Sequence, residues 1–165
     1  MNIFRLDEDV ELCAQYHTDK HLIKMLTEHN QLLSTAHHVA GSSVDLSTLH
    51  KKSHQNHPCA VWVRESRANY LWLHRLTVAM CKEYSYRYGK VHKAIHSGLM
   101  RRLANYPNIP DVGPTPQRLA MPTGYHVRNP VVAYRNYYAN DKSHLFTWRG
   151  RNMPSWLVQF GFQEI

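Results

Sequence analysis

The segment from Asn56 to Lys93 constrains the fold more than any other part of the sequence. Its apolar residues recur every three or four positions, which predicts one long helix from about Pro58 to Tyr88. On a helical wheel two opposed faces appear: Trp62, Leu73, Leu76, Met80 and Tyr84 on one, and Arg64, Arg67, Arg75 and Lys82 on the other. One face therefore builds a core, and the other presents positive charge.

Polar residues interrupt the apolar face of this predicted helix. Ser66, Asn69, Glu83 and Arg87 lie among its large hydrophobic residues, where a purely structural helix would carry Leu or Ala. Polar groups that become buried need hydrogen-bond partners or a functional purpose. We therefore treat these positions as candidates for a site.

The rest of the chain predicts a mainly α fold, a single-domain helical bundle over residues 1–165. Ile3 to Leu6 could form a short strand or an extended arm. Caps and periodicity predict helices at Asp7 to Tyr16, Thr18 or Asp19 to Val39 with Gly41 as the stop, His92 to Asn105, and Asn129 to Trp148. Six of the eight prolines lie between Pro107 and Pro130, which predicts an ordered loop over about 106–130 that wraps the surface.

The charge balance predicts a polyanionic partner. Lys and Arg outnumber Asp and Glu by 20 to 12, for a formal charge of +8, and ten tyrosines and four tryptophans accompany them. Cations hold phosphates while aromatic rings stack on bases, so nucleic acid is the expected partner. A basic protein with an ordinary aromatic core is the alternative.

Cysteine usage and hydropathy predict an intracellular protein. Three cysteines without a CxxC pair argue against a disulfide framework and a thiolate zinc site. The start, MNIFRLDEDV, lacks a secretion-signal pattern, and no apolar run approaches a membrane span. Thirteen histidines include pairs at helical spacing, but no HExxH motif accompanies them. We expect no metal, no cofactor and no membrane association, and the oligomeric state is left open.

The second predicted helix carries a polar stripe that suits acid and base chemistry. His21, Lys24, Glu28, Gln31 and Thr35 follow one another at steps of three or four residues. We expect Glu28 to act as the acid or base, assisted by His21 and Lys24, all on one rigid surface. The alternative is a solvated flank with an ordinary ion pair, worth about 0.3–0.5 kcal/mol.

Rings and cations also alternate where the long helix ends and near the carboxyl terminus. Arg87, Lys90, His92 and Lys93 are candidates for holding phosphates, and Arg135 lies in a second stretch of the same chemistry. Trp62 and Trp72 are candidates for lining a nucleotide pocket, in which Arg64 and Asn69 would orient the substrate. Core packing with snorkelling basic stems is the alternative. An enzymatic site further requires that His21, Glu28, Asn69 and Arg87 share one cavity.

Several motifs resemble known phage proteins across nearly the whole chain. They are DKHLIKMLTEHNQLL, NHPCAVWVRESRANYLWL, EYSYRYGKVHK, the LAMP at Leu119 to Pro122, and AYRNYYANDKSHLFTW. These motifs resemble a family of small bacteriophage proteins, which implies a phage gene and the cytoplasm of the infected host cell. The chain is also similar to the phage pyrimidine-dimer DNA glycosylases, which are small, basic and helical. In that family an N-terminal helix carries a catalytic Glu beside basic residues, as Glu28 stands beside Lys24 here.

The sequence departs from that family at its amino terminus. Those enzymes use the free α-amine of a small second residue as an imine-forming nucleophile, whereas Asn2 here disfavours removal of Met1. We therefore do not expect a lyase step through the terminus. Glu28 would act on water or stabilise a cationic sugar, or Lys24 would serve as the amine.

The leading hypothesis is a phage DNA-acting enzyme that excises or modifies a base on a flipped nucleotide. A nucleic-acid-binding or host-inhibiting protein without chemistry would explain the charge and the rings equally well. A nucleotide-metabolism enzyme that accepts mononucleotides is the third possibility.

Overall fold

The computed structural model describes residues 1–164, which form α-helices and short 3₁₀ helices without a β-strand. The α-helices are α1 Val10–Tyr16, α2 Asp19–Ala40, α3 Pro58–Glu65, α4 Arg67–Tyr88, α5 Lys93–His96, α6 Leu99–Leu103 and α7 Pro130–Asp141. Single 3₁₀ turns cover Leu46–Thr48, Thr123–Tyr125 and Ser143–Leu145, and a longer one covers Ser155–Phe160. The predicted mainly α bundle with a long central helix is confirmed. No helix in residues 1–164 combines the length and the apolar character that a membrane crossing needs.

Helix α2 and the central helix α4 pack against each other and supply a large part of the core. Leu22, Leu26 and Leu33 of α2 and Leu73 and Leu76 of α4 are at most 1% exposed. The bounds of α2 follow from local signals, since the Thr18 hydroxyl accepts a hydrogen bond from the His21 N–H and Gly41 ends the helix at a φ of 91°. The predicted second helix is therefore confirmed to within one residue.

The prediction of one continuous helix from Pro58 to Tyr88 is wrong at Ser66. This residue has extended backbone angles, φ −155° and ψ 156°, and its hydroxyl accepts a hydrogen bond from the Asn69 N–H at 3.2 Å. The Arg67 N–H donates to the Pro110 carbonyl at 2.9 Å, so the proline-rich loop takes up a backbone donor at the break. Two other predicted helices are shorter, because a left-handed Gly98 separates α5 from α6 and α7 ends at Asp141.

The first six residues form an extended, buried arm. Ile3 and Leu6 are fully buried, and the Phe4 ring lies 4.6 Å from the His21 ring and 5.5 Å from the Tyr134 ring between centroids. The arm therefore packs between α2 and α7. Of the two predicted conformations, the extended arm is the one that the structure adopts.

The proline-rich loop holds this arm from the other side. Gln117 donates from its side-chain amide to the Ile3 carbonyl at 2.9 Å, and the Trp62 indole N–H donates to the Thr115 carbonyl at 3.1 Å. Proline restricts backbone freedom, so an extended segment with many prolines loses less entropy when it becomes ordered. The predicted wrapping loop is confirmed, and it links the arm to α3.

Two histidines are fully buried in this core, and burial disfavours their protonation. The His17 Nδ1 lies 2.7 Å from the Cys13 carbonyl, which only accepts, so the ring donates there. Burial lowers the pKa of His17 to about 4, and burial together with the charge of His17 lowers the pKa of His29 to about 3. Both rings are therefore neutral in the native protein near neutral pH.

These histidines should make the protein less stable in mild acid. An unfolded chain takes up protons on His17 and His29 as pH falls below about 6.5, whereas the native chain does not until pH 3–4. The free energy of unfolding should therefore fall by about 1–2 kcal/mol per histidine between pH 7 and pH 5. Denaturant unfolding of His29→Met should show a shallower pH slope, while a matched change of the exposed His96 should leave the slope unaltered. Equal slopes in all three proteins would contradict this account.

Candidate active site at the amino terminus

Glu28 lies beside the first residues of the chain. Its Oε2 accepts a hydrogen bond from the Asn2 backbone N–H at 2.9 Å and lies 3.7 Å from the Met1 α-amine. The Glu28 side chain is 15% exposed, so the carboxylate is held by the arm and still accessible from outside. The structure therefore places an amine and a carboxylate, the elements of nucleophilic and acid–base chemistry, side by side.

Asn2 fixes the position of this amine. Its side-chain amide donates to the Ala120 carbonyl at 2.8 Å, and its side-chain oxygen accepts from the Tyr134 hydroxyl at 2.8 Å. The Met1 side chain is 4% exposed and packs on the core. Chain termini are usually poorly ordered, whereas this one is tied to α2, α7 and the proline-rich loop.

His57 lies within electrostatic range of the same pair. Burial lowers its pKa first, the positive terminus and His54 lower it further, and only Glu28 opposes them. Its Nδ1 accepts a hydrogen bond from the Cys59 N–H at 3.1 Å, which requires a lone pair on that nitrogen. His57 is therefore a neutral ring that begins helix α3 and adds no positive charge beside the amine.

His21 shares the Glu28 face of α2 but is covered by the arm. Its Nδ1 lies 2.9 Å from the Tyr138 hydroxyl, and the residue is 5% exposed. Burial, followed by the positive charges of His17, Lys142 and Lys24, lowers its pKa to about 3. Lys24 is exposed, and within residues 1–164 it forms no ion pair with Glu28. The amine that the structure brings to Glu28 is that of Met1.

Trp62, Trp72 and Asn69 line a separate cavity of about 300 Å³. The Arg5 guanidinium covers the Trp72 ring at 3.9 Å from its centroid. Asn69 is buried, donating to the Trp62 carbonyl at 2.9 Å and accepting from the Thr115 N–H at 3.0 Å. Glu28 is not among the residues that line this cavity. A base could stack on Trp72 only after Arg5 moved away.

Arg87 belongs to an internal charge network. Its side chain is fully buried, with Nε donating to Glu83 at 2.8 Å and Nη1 to Asp19 at 2.9 Å. The remaining nitrogen donates to the Gln15 carbonyl, and Arg151 donates to the second Glu83 oxygen at 3.0 Å. Burial opposes ionisation of Glu83, but hydrogen bonds from Arg151 and Arg87 outweigh it and lower its pKa. We therefore leave Arg87 out of the substrate contacts.

Most other predicted contact residues also have partners within the protein. Arg64 donates to the Gln55 carbonyl at 2.6 Å, and Arg135 donates to the Leu6 carbonyl and to Asp7. The His92 Nδ1 accepts from the Ala94 N–H and begins α5. Lys90 and Lys93 are exposed and remain predicted phosphate contacts.

The predicted convergence of His21, Glu28, Asn69 and Arg87 is not what the structure shows. Within residues 1–164 these four side chains share no hydrogen bond or ion pair, and each has partners of its own. Glu28 instead lies beside the amino terminus, whose departure from the family's small second residue had argued against a role in catalysis. Across the same residues, no group of three or more His, Cys, Asp and Glu side chains is arranged to hold a metal ion.

Comparison with known proteins identifies a family for this chain. The family model for pyrimidine dimer DNA glycosylases matches residues 1–97, which contain the arm, Glu28 and helix α4. The chain therefore belongs to the pyrimidine dimer DNA glycosylase family. Comparisons with curated proteins and with solved structures found no match.

Removing Arg87 should affect stability far more than DNA binding. Arg87→Met takes one cation out of a buried network, a loss that typically costs about 3–5 kcal/mol. Lys90→Met, just beyond the end of α4 and exposed, should change stability by less than about 0.5 kcal/mol. Urea unfolding measures both, and DNA titration at two salt concentrations should show a smaller salt slope only for Lys90→Met. An Arg87→Met protein with native stability and weakened DNA binding would contradict the structural role.

Proposed function

We propose that this protein is a DNA glycosylase that removes a damaged pyrimidine through an imine between its own α-amine and the sugar. The observation that carries the proposal is the Met1 amine 3.7 Å from the Glu28 carboxylate at a partly open position. Membership of a pyrimidine dimer DNA glycosylase family supports it. DNA is the proposed substrate, and Lys90 and Lys93 are the proposed phosphate contacts.

The residues present can carry out the steps in order. After the Met1 ammonium has given a proton to solvent, its nitrogen attacks C1′ of the damaged nucleotide, and the bond from C1′ to the pyrimidine breaks with its electron pair going to the base. Glu28 takes a proton from the new C–N centre and returns it to the ring oxygen O4′ as the C1′–O4′ bond opens. The nitrogen lone pair then forms the iminium, and solvent protonates the departed base. Glu28 acts as base and then as acid, and water later hydrolyses the imine.

The identity of the amine follows from the arm. Asn2 is too large for efficient removal of Met1, and the Met1 side chain is buried against the core. We therefore propose that the retained methionine supplies the nucleophile, in place of the small second residue used elsewhere in the family. Lys24 is the competing amine, and it is exposed on α2 one turn before Glu28.

Borohydride should trap a covalent adduct between the protein and DNA that contains a pyrimidine dimer. The iminium is reduced to a stable amine, so the cross-link records which nitrogen attacked C1′. Peptide mass spectrometry should find the sugar remnant on the Met1 α-amine, and Lys24→Gln should trap as well as the native protein. A remnant on Lys24, or on Asn2 after loss of Met1, would refute the assignment of the amine to Met1. If the protein binds damaged DNA but forms no adduct with it, the result would favour a binding protein without chemistry.

Glu28→Gln should abolish turnover and leave DNA affinity within a few-fold. Glutamine keeps the size of the side chain and an oxygen that can accept from the Asn2 N–H, but it cannot take up a proton. Single-turnover release of the pyrimidine from dimer-containing DNA measures turnover, and gel-shift titration measures DNA affinity. Gln31→Glu is a matched control, because it changes charge on the same stripe one turn away. Full activity in Glu28→Gln would exclude this residue as acid or base.

A further inference from the structure

A second cavity, of about 300 Å³, lies between α2, the turn at Leu46–Thr48 and helices α5 and α6. Three basic side chains and no carboxylate line it, while leucine and alanine form apolar walls. The lining includes Asn30, Thr48, His50, Lys93, Ser97 and Arg102. Asn30 and Glu28 are about 200° apart around α2, so the cavity opens on the other side of the helix from the proposed active site.

Two buried polar atoms on side chains that line this cavity lack a partner. The Asn30 side-chain oxygen and the Arg102 Nε are both buried, and neither has a hydrogen-bond partner within residues 1–164. Asn30 itself is 2% exposed. Native proteins pair most buried polar atoms, so an acceptor and a donor left free on one cavity indicate a ligand that completes them.

The rest of the Arg102 guanidinium shapes the wall. Its two terminal nitrogens donate to the Ser97 carbonyl at 3.1 Å and to the Thr48 carbonyl at 3.2 Å. These bonds tie α6 to the turn at Leu46–Thr48 across the cavity. Lys93 is exposed at the edge, and within the described chain it forms no ion pair. A fixed guanidinium and a free ammonium together favour a phosphate.

The geometry points to a binding site for a single nucleotide unit. Its phosphate would lie against Lys93 and Arg102, its base would lie on the walls formed by Leu49, Ala94 and Leu99, and Asn30 would contact the polar edge of the base. A nucleoside monophosphate free in solution and an unpaired nucleotide of a DNA strand present this same chemistry. Occupancy of the site does not require the reaction proposed at Glu28.

Titration of the full-length protein with the four deoxynucleoside monophosphates tests this assignment. NMR signals of the Asn30 side-chain amide should shift with nucleotide, and calorimetry should give tighter binding than for inorganic phosphate. Asn30→Leu should weaken nucleotide binding about five- to tenfold, the equivalent of one hydrogen bond, and leave phosphate binding within twofold. Lys93→Ala should weaken both ligands, and Lys20→Ala, at an exposed position of α2 outside the lining, should weaken neither.

A parallel titration uses duplex DNA with one unpaired nucleotide, and fully paired duplex serves as its reference. A shift of the Asn30 signal with the free nucleotide alone identifies a mononucleotide site, and a shift with the unpaired nucleotide alone identifies a site for extruded DNA bases. Either result supports the inference. Asn30→Asp keeps the side-chain size and should repel phosphate, so it provides a second variant if Asn30→Leu unfolds. Nucleotides that bind no better than phosphate, or binding that Lys93→Ala leaves unchanged, would overturn it.

Discussion

The hydrogen bonds of the Asn2 side chain fix the amino terminus in space, and the proposed chemistry depends on that position. They link the arm to the Ala120 carbonyl and the Tyr134 hydroxyl, so the first residue cannot move independently of α7 and the proline-rich loop. An untied amine would sample many positions and reach a substrate carbon only rarely. Holding a nucleophile in place supplies much of the advantage of an intramolecular reaction. The segment after residue 97 therefore contributes to a site whose reacting groups lie within the first thirty residues.

A second constraint comes from the charges inside the molecule. Asp19, Glu83, Arg87 and Arg151 neutralise one another locally, two acids against two bases. Arg151 lies beyond α7, and its bonds to Glu83 fasten the carboxyl-terminal segment to α4. Because Arg87 and Arg151 are paired with Asp19 and Glu83, we expect the positive charge that contacts DNA to come from exposed residues such as Lys24, Lys90 and Lys93. This network accounts for the interruptions of the apolar face of α4 at Glu83 and Arg87, without any contact to DNA.

Local signals in the sequence predicted the helices well. Thr18 and Gly41 bound α2, Asn129 and Pro130 begin α7, and both pairs act within a few residues of the element they limit. The break at Ser66 is different, since its extended backbone is supported by the Pro110 carbonyl more than forty residues later. Helical periodicity carries no information about such a distant acceptor. A continuous helix was therefore the natural and incorrect prediction.

The site shows the same division between local and distant information. Glu28 could be predicted because its stripe repeats at helical spacing, a property of the sequence around it. The sequence suggested that Asn69 and Arg87 belong to the same site as Glu28. Their distant partners show that both are internal: Asn69 bonds to Thr115, and Arg87 bonds to Glu83, Asp19 and Gln15. The arm has no helical periodicity, so a helical wheel cannot indicate that Met1 lies beside Glu28.

Retention of Met1, which we propose, gives a terminus one residue longer than the one that the family's chemistry uses. Glu28 Oε2 receives the Asn2 N–H at 2.9 Å and lies 3.7 Å from the Met1 nitrogen, so one carboxylate oxygen contacts both positions that an α-amine could occupy. A small second residue allows the initial methionine to be removed but offers no side chain that could hold the arm. Asn2 has the opposite properties, because its side chain ties the arm down and we expect its size to prevent removal of Met1. Because the Met1 side chain is buried, its amine is directed toward the Glu28 carboxylate. Glu28 is therefore placed to act on an amine at position 2 after removal of Met1 and equally on the amine of Met1 itself.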